Sequence, residues 1–243
     1  MWQLKKKKKN HQRQIFTSLF EFSCCGQYHF SELDLRFNKK DINAKDLENL
    51  VNQMQKYENL KSLSFDLSYN NLNGKDLSLF VTLLPSFANL INLFLYVQSL
   101  DIRDEGISYI ANALIKCQHL TKLTLQAYSC SIMDQGFENL GIGLSNCQNL
   151  TSANLWLSEN RISLKGATPF CQNIAKNKKL GNLLIYLYSN KFNIHESEEF
   201  NTVLASNKNL KTLEFWLVNY ADQHLVRQLK RKSIRLVKYQ IRY

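Results

Sequence analysis

The segment CQHLTKLTLQ (117–126) recurs almost unchanged thirty residues later as CQNLTSANLW (147–156). The same interval governs most of the chain, because leucine occupies a series of positions thirty residues apart and Phe30 extends this series backwards. The leucines of the series are Leu60, Leu90, Leu120, Leu150, Leu180 and Leu210. A fixed period of this length, without insertion or deletion, is typical of a repeat architecture in which each unit is one supersecondary element.

Apolar residues at every second position predict a strand near the start of each unit. Leu63, Phe65 and Leu67 show this spacing in one repeat, and equivalent residues stand thirty positions away in the others. Successive side chains of a strand point to opposite faces. We therefore predict a strand with one buried face, and we expect the alternate residues to face solvent.

The second part of each unit follows a helical period. Apolar residues recur in steps of three and four, which places them on one stripe of a helix. They include Leu47, Leu50 and Met54, then Leu77, Phe80 and Leu84, and then Ile107, Ile110 and Leu114. Each unit is therefore predicted to contain one strand and one helix.

Polar residues mark the helix starts. Asparagine or serine, which cap the unpaired N–H groups of a helix, stand just before it at Asn43, Asn73, Ser163 and Asn193. Three residues later, Asp46, Asp76 and Glu196 complete the pattern of a capping box. Repeats three to five instead place Gly106, Gly136 and Gly166 at that position. We expect these glycines to let the backbones of helix and strand approach closely.

These patterns carry a resemblance to a known family. The segments LKSLSFDLSYNNLNGKDLSLF (60–80) and LTSANLWLSENRISLKGATPF (150–170) resemble leucine-rich repeats of the ribonuclease-inhibitor type. Leu114, Cys117 and Leu120 match the L-x-x-C-x-x-L stretch that usually ends such a unit. The resemblance implies an α/β solenoid, a curved horseshoe with a parallel sheet on the concave face and helices on the convex face. The physics of burial also favours a solenoid, because a single strand and helix cannot bury their apolar faces alone, whereas stacked repeats can.

The chain departs from the family pattern at its asparagine position. Two extra residues precede Asn70, Asn160 and Asn190, which predicts a longer strand than usual. Other repeats lack the asparagine, so we do not expect a continuous asparagine ladder. The replacing residues are Lys40, Leu100, Cys130 and Tyr220.

Three regions are predicted along the chain: a basic tail with a partial capping unit (1–29), leucine-rich repeats of period thirty (30–220) and a basic C-terminal cap (221–243). We expect six full repeats and a seventh strand from Leu210. Phe20 and Cys24 fall in the helix positions of a truncated preceding repeat, which predicts that they pack against the first full one. Such caps cover the open ends of a stack.

Composition narrows the class of protein. Hydrophobic residues make up 44% and charged residues 21%, which is typical of a folded domain. No apolar run reaches the roughly 18 residues of a membrane span, and Glu21 interrupts the short apolar stretch after the basic N-terminus, so we expect no secretory signal. The six cysteines are interpreted as reduced thiols, which predicts a cytoplasmic or nuclear protein.

The net charge of +11 lies at the two ends. Residues 31–220 carry 18 basic and 18 acidic side chains, so the +5 of residues 1–30 and the +6 of residues 221–243 account for the total. Weak binding to nucleic acid or acidic surfaces is therefore one candidate function. Its candidate residues are Lys5, Lys6, Lys7, Lys8, Lys9, Arg227, Lys230, Arg231 and Lys232. The alternative interpretation is that these runs are solvated tails or a localisation signal.

The residues offer little for catalysis or for holding a cofactor. The segment CCGQYH (24–29) does not supply a tetrahedral metal site, and the chain has no phosphate-binding loop or nucleophile elbow. We therefore predict no enzyme, metal or cofactor. One alternative function remains, that of a small-GTPase activator of the Ran type. Such activators resemble this chain in their type of repeat, and Arg103 stands in a predicted loop. The basic C-terminus disfavours it, since those activators typically end in an acidic tail.

A protein-binding scaffold is the favoured function. The strand residues predicted to face solvent on the concave face include many aromatic side chains, and large exposed apolar patches usually mark interaction sites. The candidate partner-binding residues are Phe94, Tyr96, Tyr128, Trp156, Tyr186, Tyr188 and Trp216. Aromatic residues are also common in strands for structural reasons, which is the competing interpretation.

Overall fold

The computed structural model describes residues 13–192, 202–203, 207 and 209–216, with only the main chain described at Phe215 and Trp216. Within this part of the chain, strands and helices alternate. The strands are β1 (Arg13–Phe16), β2 (Glu32–Arg36), β3 (Ser62–Asp66), β4 (Asn92–Tyr96), β5 (Lys122–Gln126), β6 (Ser152–Trp156), β7 (Asn182–Tyr186) and β8 (Thr212–Trp216). The helices are α1 (Leu19–Cys24), α2 (Ala44–Met54), α3 (Gly74–Val81), α4 (Arg103–Lys116), α5 (Asp134–Asn146) and α6 (Leu164–Ile174), with a 3-10 turn at Leu84–Ser86.

One parallel sheet contains all eight described strands in chain order. From β2 onward the register places each residue opposite the one thirty positions later, as in the row Leu63, Leu93 and Leu123. Parallel neighbours need a crossover, and helices α2 to α6 provide it between successive strands from β2 to β7. The predicted α/β arrangement of leucine-rich-repeat solenoids is confirmed. Of the helix expected before β8, the structure describes only residues 202–203, which are helical.

The core lies between the sheet and the helices. Leu63, Phe65 and Leu67 are fully buried, as are Leu77 and Phe80 on the facing helix α3. Apart from the buried Asp34, the alternate residues of β2 to β8 whose side chains are described are half-buried or exposed on the opposite side of the sheet. The predicted assignment of buried and solvent-facing positions is therefore confirmed, and we call the solvent-facing side of the sheet the open face.

Capping boxes begin the first two repeat helices, as predicted. The Asn43 side chain accepts from the Asp46 N–H at 3.1 Å while the Asp46 carboxylate accepts from the Asn43 N–H at 3.2 Å. The same pair of bonds joins Asn73 and Asp76. Ser163 also caps its helix, accepting from the Lys165 N–H. The predicted caps at 193 and 196 lie outside the described residues.

Gly106, Gly136 and Gly166 act differently from the prediction, because each approaches the neighbouring helix and not a strand. A Cβ on Gly106 would lie 3.1 Å from the Cα of Gly74, and one on Gly166 would lie 2.6 Å from the Cα of Asp134. Parallel strands are about 4.8 Å apart, whereas helices usually pack 8–10 Å apart. Glycine at the helix starts therefore lets successive helices come closer together.

A short strand and a short helix, β1 and α1, precede the first full repeat, but the core residues predicted for this N-terminal cap were wrong. Phe20 is 76% exposed and Cys24 is also exposed, whereas Phe16 and Phe22 are buried. Phe22 stacks on Tyr57 with ring centroids 5.8 Å apart. The cap does not follow the thirty-residue interval, since β1 pairs Phe16 with a residue nineteen positions later.

Asparagine side chains tie some repeats together beyond the strands. Asn160 is buried; its Oδ1 accepts from the N–H groups of Cys130 and Ile132, and its Nδ2 donates to the carbonyls of Ala127 and Leu157. Asn70 and Asn190 make similar contacts. In another repeat, the thiol of Cys130 occupies this position and donates to the Val97 carbonyl at 3.0 Å. The ladder is therefore discontinuous, as predicted.

Candidate functional site

The open face carries one column of residues that the sheet register brings side by side. Its members share the last position of their strands, and each is opposite its neighbours in adjacent strands. The column is Arg36, Asp66, Tyr96, Gln126, Trp156, Tyr186 and Trp216. It is charged on β2 and β3 and aromatic on β6 and β7, so the two halves of the open face differ in chemistry.

Three aromatic residues form a continuous surface on the second half, which we call the aromatic wall: Trp156, Tyr186 and Tyr188. The rings of Trp156 and Tyr186 stack with centroids 4.0 Å apart and planes inclined by 26°. Tyr186 in turn contacts Tyr188 at 5.9 Å. Trp156 is 38% exposed although its backbone lies in the middle of the sheet. Stacking of this kind fixes the rings and holds a large apolar surface in solvent.

Gln126 interrupts the aromatic column directly beside Trp156. Its Oε1 accepts a hydrogen bond from Nε2 of Gln98, and Gln98 in turn accepts from the Ser68 hydroxyl. Gln98 and Ser68 are buried although they belong to the open side of the repeats. This polar chain holds the Gln126 amide toward the preceding repeat.

Tyr128 belongs to a separate contact and not to the aromatic wall. Its ring meets Tyr69 edge-on with centroids 6.5 Å apart, and the two hydroxyls are hydrogen-bonded. That hydrogen bond, together with burial, raises the pKa of Tyr128 to about 12. The Lys39 ammonium lies 4.9 Å from the centre of the Tyr69 ring. Tyr128 is therefore turned toward earlier repeats.

A polar hollow of about 610 Å³ occupies the first half of the open face. Its lining comes from β1 to β5: Arg13, Glu32, Leu33, Asp34, Arg36, Ser62, Ser64, Asp66, Asn92, Phe94, Tyr96 and Lys122. Three basic and three acidic side chains stand in this set, so their formal charges balance. Two of the predicted site residues, Phe94 and Tyr96, belong to this hollow.

A buried carboxylate organises the charges of the hollow. Asp34 is 5% exposed, and its Oδ2 accepts from Nη2 of Arg13 at 2.9 Å and from Nη2 of Arg36 at 2.8 Å. Burial alone would raise the pKa of Asp34, but hydrogen bonds from Arg36, Arg13 and Ser64 outweigh it and hold that pKa below its usual value. Asp34 therefore stays ionised at neutral pH and positions both arginines at the surface.

Six of the seven predicted site residues are thus divided among three places. Trp156, Tyr186 and Tyr188 form the aromatic wall, Phe94 and Tyr96 line the polar hollow, and Tyr128 pairs with Tyr69. The main chain of Trp216 continues the column on β8, opposite Tyr186. Gln126 stands between Tyr96 and Trp156 in the column, so the aromatic residues of the two halves are not continuous.

Sequence reasoning missed several residues of these surfaces. Arg13 lies on β1, a strand that no repeat interval predicts. Gln98 and Tyr69 lie past the strand ends, in the two residues that each repeat adds before the asparagine. The backbone ladder continues there, since the Tyr69 N–H donates to the Gln98 carbonyl at 2.9 Å. The two added residues of each repeat were therefore the feature of the sequence that could have indicated these contacts.

The described residues contain no metal-binding cluster and no disulfide-bonded cysteine pair. No group of three or more histidine, cysteine or acidic side chains that could hold a metal ion occurs in this part of the chain. The four cysteines of the repeats are buried and unpaired, and burial raises the pKa of the Cys147 thiol to about 11. Among the described helices, none is long and apolar enough to cross a membrane.

Arg103, the residue considered for a GTPase activator, is held by a neighbouring carboxylate. Its Nε and Nη2 donate to Asp101 at 2.9 and 2.6 Å, and its side chain is 70% exposed. The hydrogen bonds from Arg103 hold the pKa of Asp101 below its usual value. Two of the guanidinium nitrogens are therefore already engaged.

Comparison with known proteins gives a likeness in structure only. No protein-family model matches the chain, and no curated protein matches its sequence. Among solved structures, the chain is similar to the Leiomodin-1 Actin-Binding Site 2, with a TM-score of 0.42 and 14% sequence identity. That match covers 88% of this chain and 92% of the other.

Proposed function

We propose that this protein is a non-catalytic scaffold, built from leucine-rich repeats of the ribonuclease-inhibitor type, that binds a partner protein through the concave open face of its sheet. The observation that carries the proposal is the aromatic wall. Trp156 and Tyr186 are stacked on one another yet remain in contact with solvent. Their partner is expected to place an apolar anchor on this second half of the face.

Aromatic walls suit protein recognition for two physical reasons. Tryptophan and tyrosine bury a large area with few rotatable bonds, so little conformational entropy is lost on binding. The stacking of Trp156 on Tyr186 lowers that cost further, because the free protein already holds both rings in place. Such residues dominate the binding energy of protein interfaces.

The polar hollow supports the same function in a different way. Arg13 and Arg36 are about half exposed above the buried Asp34, and charged side chains at the edge of an interface set orientation and association rate. A partner that lies along the open face would contact the polar hollow with one part of its surface and the aromatic wall with another. The two regions together favour an extended contact.

Two other functions stay as alternatives. A small-GTPase activator would require Arg103 to leave Asp101, and purified protein that fails to accelerate GTP hydrolysis would remove this candidate. Polyanion binding depends on basic residues at 5–9 and 227–232, which lie outside the described residues. Retention on heparin that disappears at about 0.2 M salt would indicate only nonspecific attraction.

The proposed function can be tested with matched variants. We would compare quantitative pull-downs from the source cell using wild type, the double variant Trp156→Ala/Tyr186→Ala, and Ile115→Ala. Ile115 lies on helix α4 and is 39% exposed, which matches the 38% of Trp156. The expected result is a set of proteins that wild type and Ile115→Ala retain and the double variant loses.

Stability must be measured for the same variants. If the double variant unfolds at a much lower temperature than Ile115→Ala, the aromatic residues serve the fold and the strand-propensity interpretation is correct. If it folds and still retains every protein that wild type retains, the aromatic wall does not bind a partner.

A further inference from the structure

The space beside Trp156 is the most specific feature of the open face. Tyr186 covers one side of the Trp156 ring, and Gln126 occupies the column position on the other side. The Gln126 amide is drawn toward Gln98 by a hydrogen bond. The stack therefore ends at Trp156, where the next position holds a side chain too short to continue it.

We propose that this space is a stacking slot for one aromatic side chain, tyrosine or tryptophan, of the partner protein. The stacking slot is bounded by Trp156 on β6 and has Gln126 on β5 as its floor. The inference rests on the proposed function, since it names the group that the aromatic wall receives.

The spacing of the sheet fits one additional ring. Parallel strands lie about 4.8 Å apart at their backbones, and the rings of Trp156 and Tyr186 are 4.0 Å apart. A ring stacked on the free side of Trp156 at the same interval would stand above β5. Gln126 supplies no ring there, so an incoming one would continue the stack by one member.

The charges around the stacking slot favour an uncharged ring. The open-face residues of β5 and β6 include no carboxylate, and the uncharged ones nearest the slot are Thr124, Gln126 and Asn154. A cationic side chain placed on Trp156 would gain a cation–π contact but would meet no carboxylate on either strand to offset the water that it loses. The amides can instead accept from a phenol O–H or an indole N–H, which favours tyrosine or tryptophan over phenylalanine.

The stacking slot is distinct from the polar hollow, and variants can block each one separately. Gln126→Trp would fill the slot with a ring from the protein itself, while Gln126→Ala would keep it open. Ser62→Trp places the same bulk in the polar hollow, since Ser62 lines it from β3. All three changes are at half-buried surface positions of strands, and thermal unfolding would verify that each variant folds.

The probe is a displayed library of random twelve-residue peptides, selected on the wild-type protein with counter-selection on Gln126→Trp. We expect the enriched peptides to share one tyrosine or tryptophan. Their affinity should fall at least tenfold on Gln126→Trp and stay within threefold on Gln126→Ala and Ser62→Trp. If Gln126→Trp fails to fold, Gln126→Tyr replaces it in both steps.

Each contrary result has a definite meaning. Peptides that share arginine or lysine in place of an aromatic residue, or no enrichment over the counter-selection, would refute the stacking slot. If peptides selected on wild type alone bind Gln126→Trp unchanged but not Trp156→Ala/Tyr186→Ala, the slot is wrong and the proposed function survives. If they also bind that double variant unchanged, the proposed function fails with it.

Discussion

Replacing Asn160 by alanine tests how the repeats are joined. The Asn160 side chain is buried, and its loss removes the partners of the Cys130 and Ile132 N–H groups and of the Ala127 carbonyl. Each buried polar group left unpaired costs about 1–3 kcal/mol. Three such groups together predict a loss of about 3–9 kcal/mol in the free energy of unfolding, with entry of water favouring the lower end of the range.

Urea denaturation followed by circular dichroism measures this loss. Asn112→Ala is the matched control, because Asn112 is exposed on helix α4 and its replacement should change stability by less than about 0.5 kcal/mol. A domain is stable by only about 5–15 kcal/mol, so the shift for Asn160→Ala should be large. If both variants unfold at the same urea concentration with the same slope, the side chain does not join the repeats as described.

Other changes address the core and the thiols. Leu125→Asp would bury an unpaired charge at a fully buried position and should lower stability by several kcal/mol, as thermal unfolding would show. Gly143→Val should lower it by about 1–3 kcal/mol, because even a Cβ at Gly143 would lie 2.7 Å from the Cα of Ala111 on the adjacent helix; an unchanged melting temperature would contradict that close approach. At pH 8 the folded protein should react with iodoacetamide at the exposed Cys24 and not at Cys147, whose raised pKa of about 11 leaves little thiolate; peptide mapping that finds both modified at equal rates would contradict this.

The repeat interval explains why so much of the fold could be predicted. Strand positions such as Leu63 and Phe65 recur at one spacing, and the same spacing then fixes the register of each strand pair. The N-terminal cap escaped this reasoning because β1 aligns with β2 at a shorter interval. Extrapolating thirty residues back therefore selected Phe20, while the chain buries Phe22.

The candidate site could be predicted only in part, because spacing fixes the face of a residue and not the direction of its side chain. The column containing Trp156 was placed correctly on the open face. That Gln126 would turn toward Gln98, and that Tyr128 would pair with Tyr69, depends on hydrogen bonds between different repeats. These contacts divide a column of aromatic residues into separate surfaces.

Site-specific photo-crosslinking tests most directly whether a partner protein lies on the open face. In one variant a benzophenone amino acid would replace Asn154, which lies on the open face beside Trp156. In a second variant it would replace Asn112, which lies on helix α4 on the opposite side of the sheet. With a partner recovered in the pull-down, we predict a covalent adduct from position 154 and none from position 112. An adduct from position 112 alone, or equal adducts from both, would contradict binding through the open face.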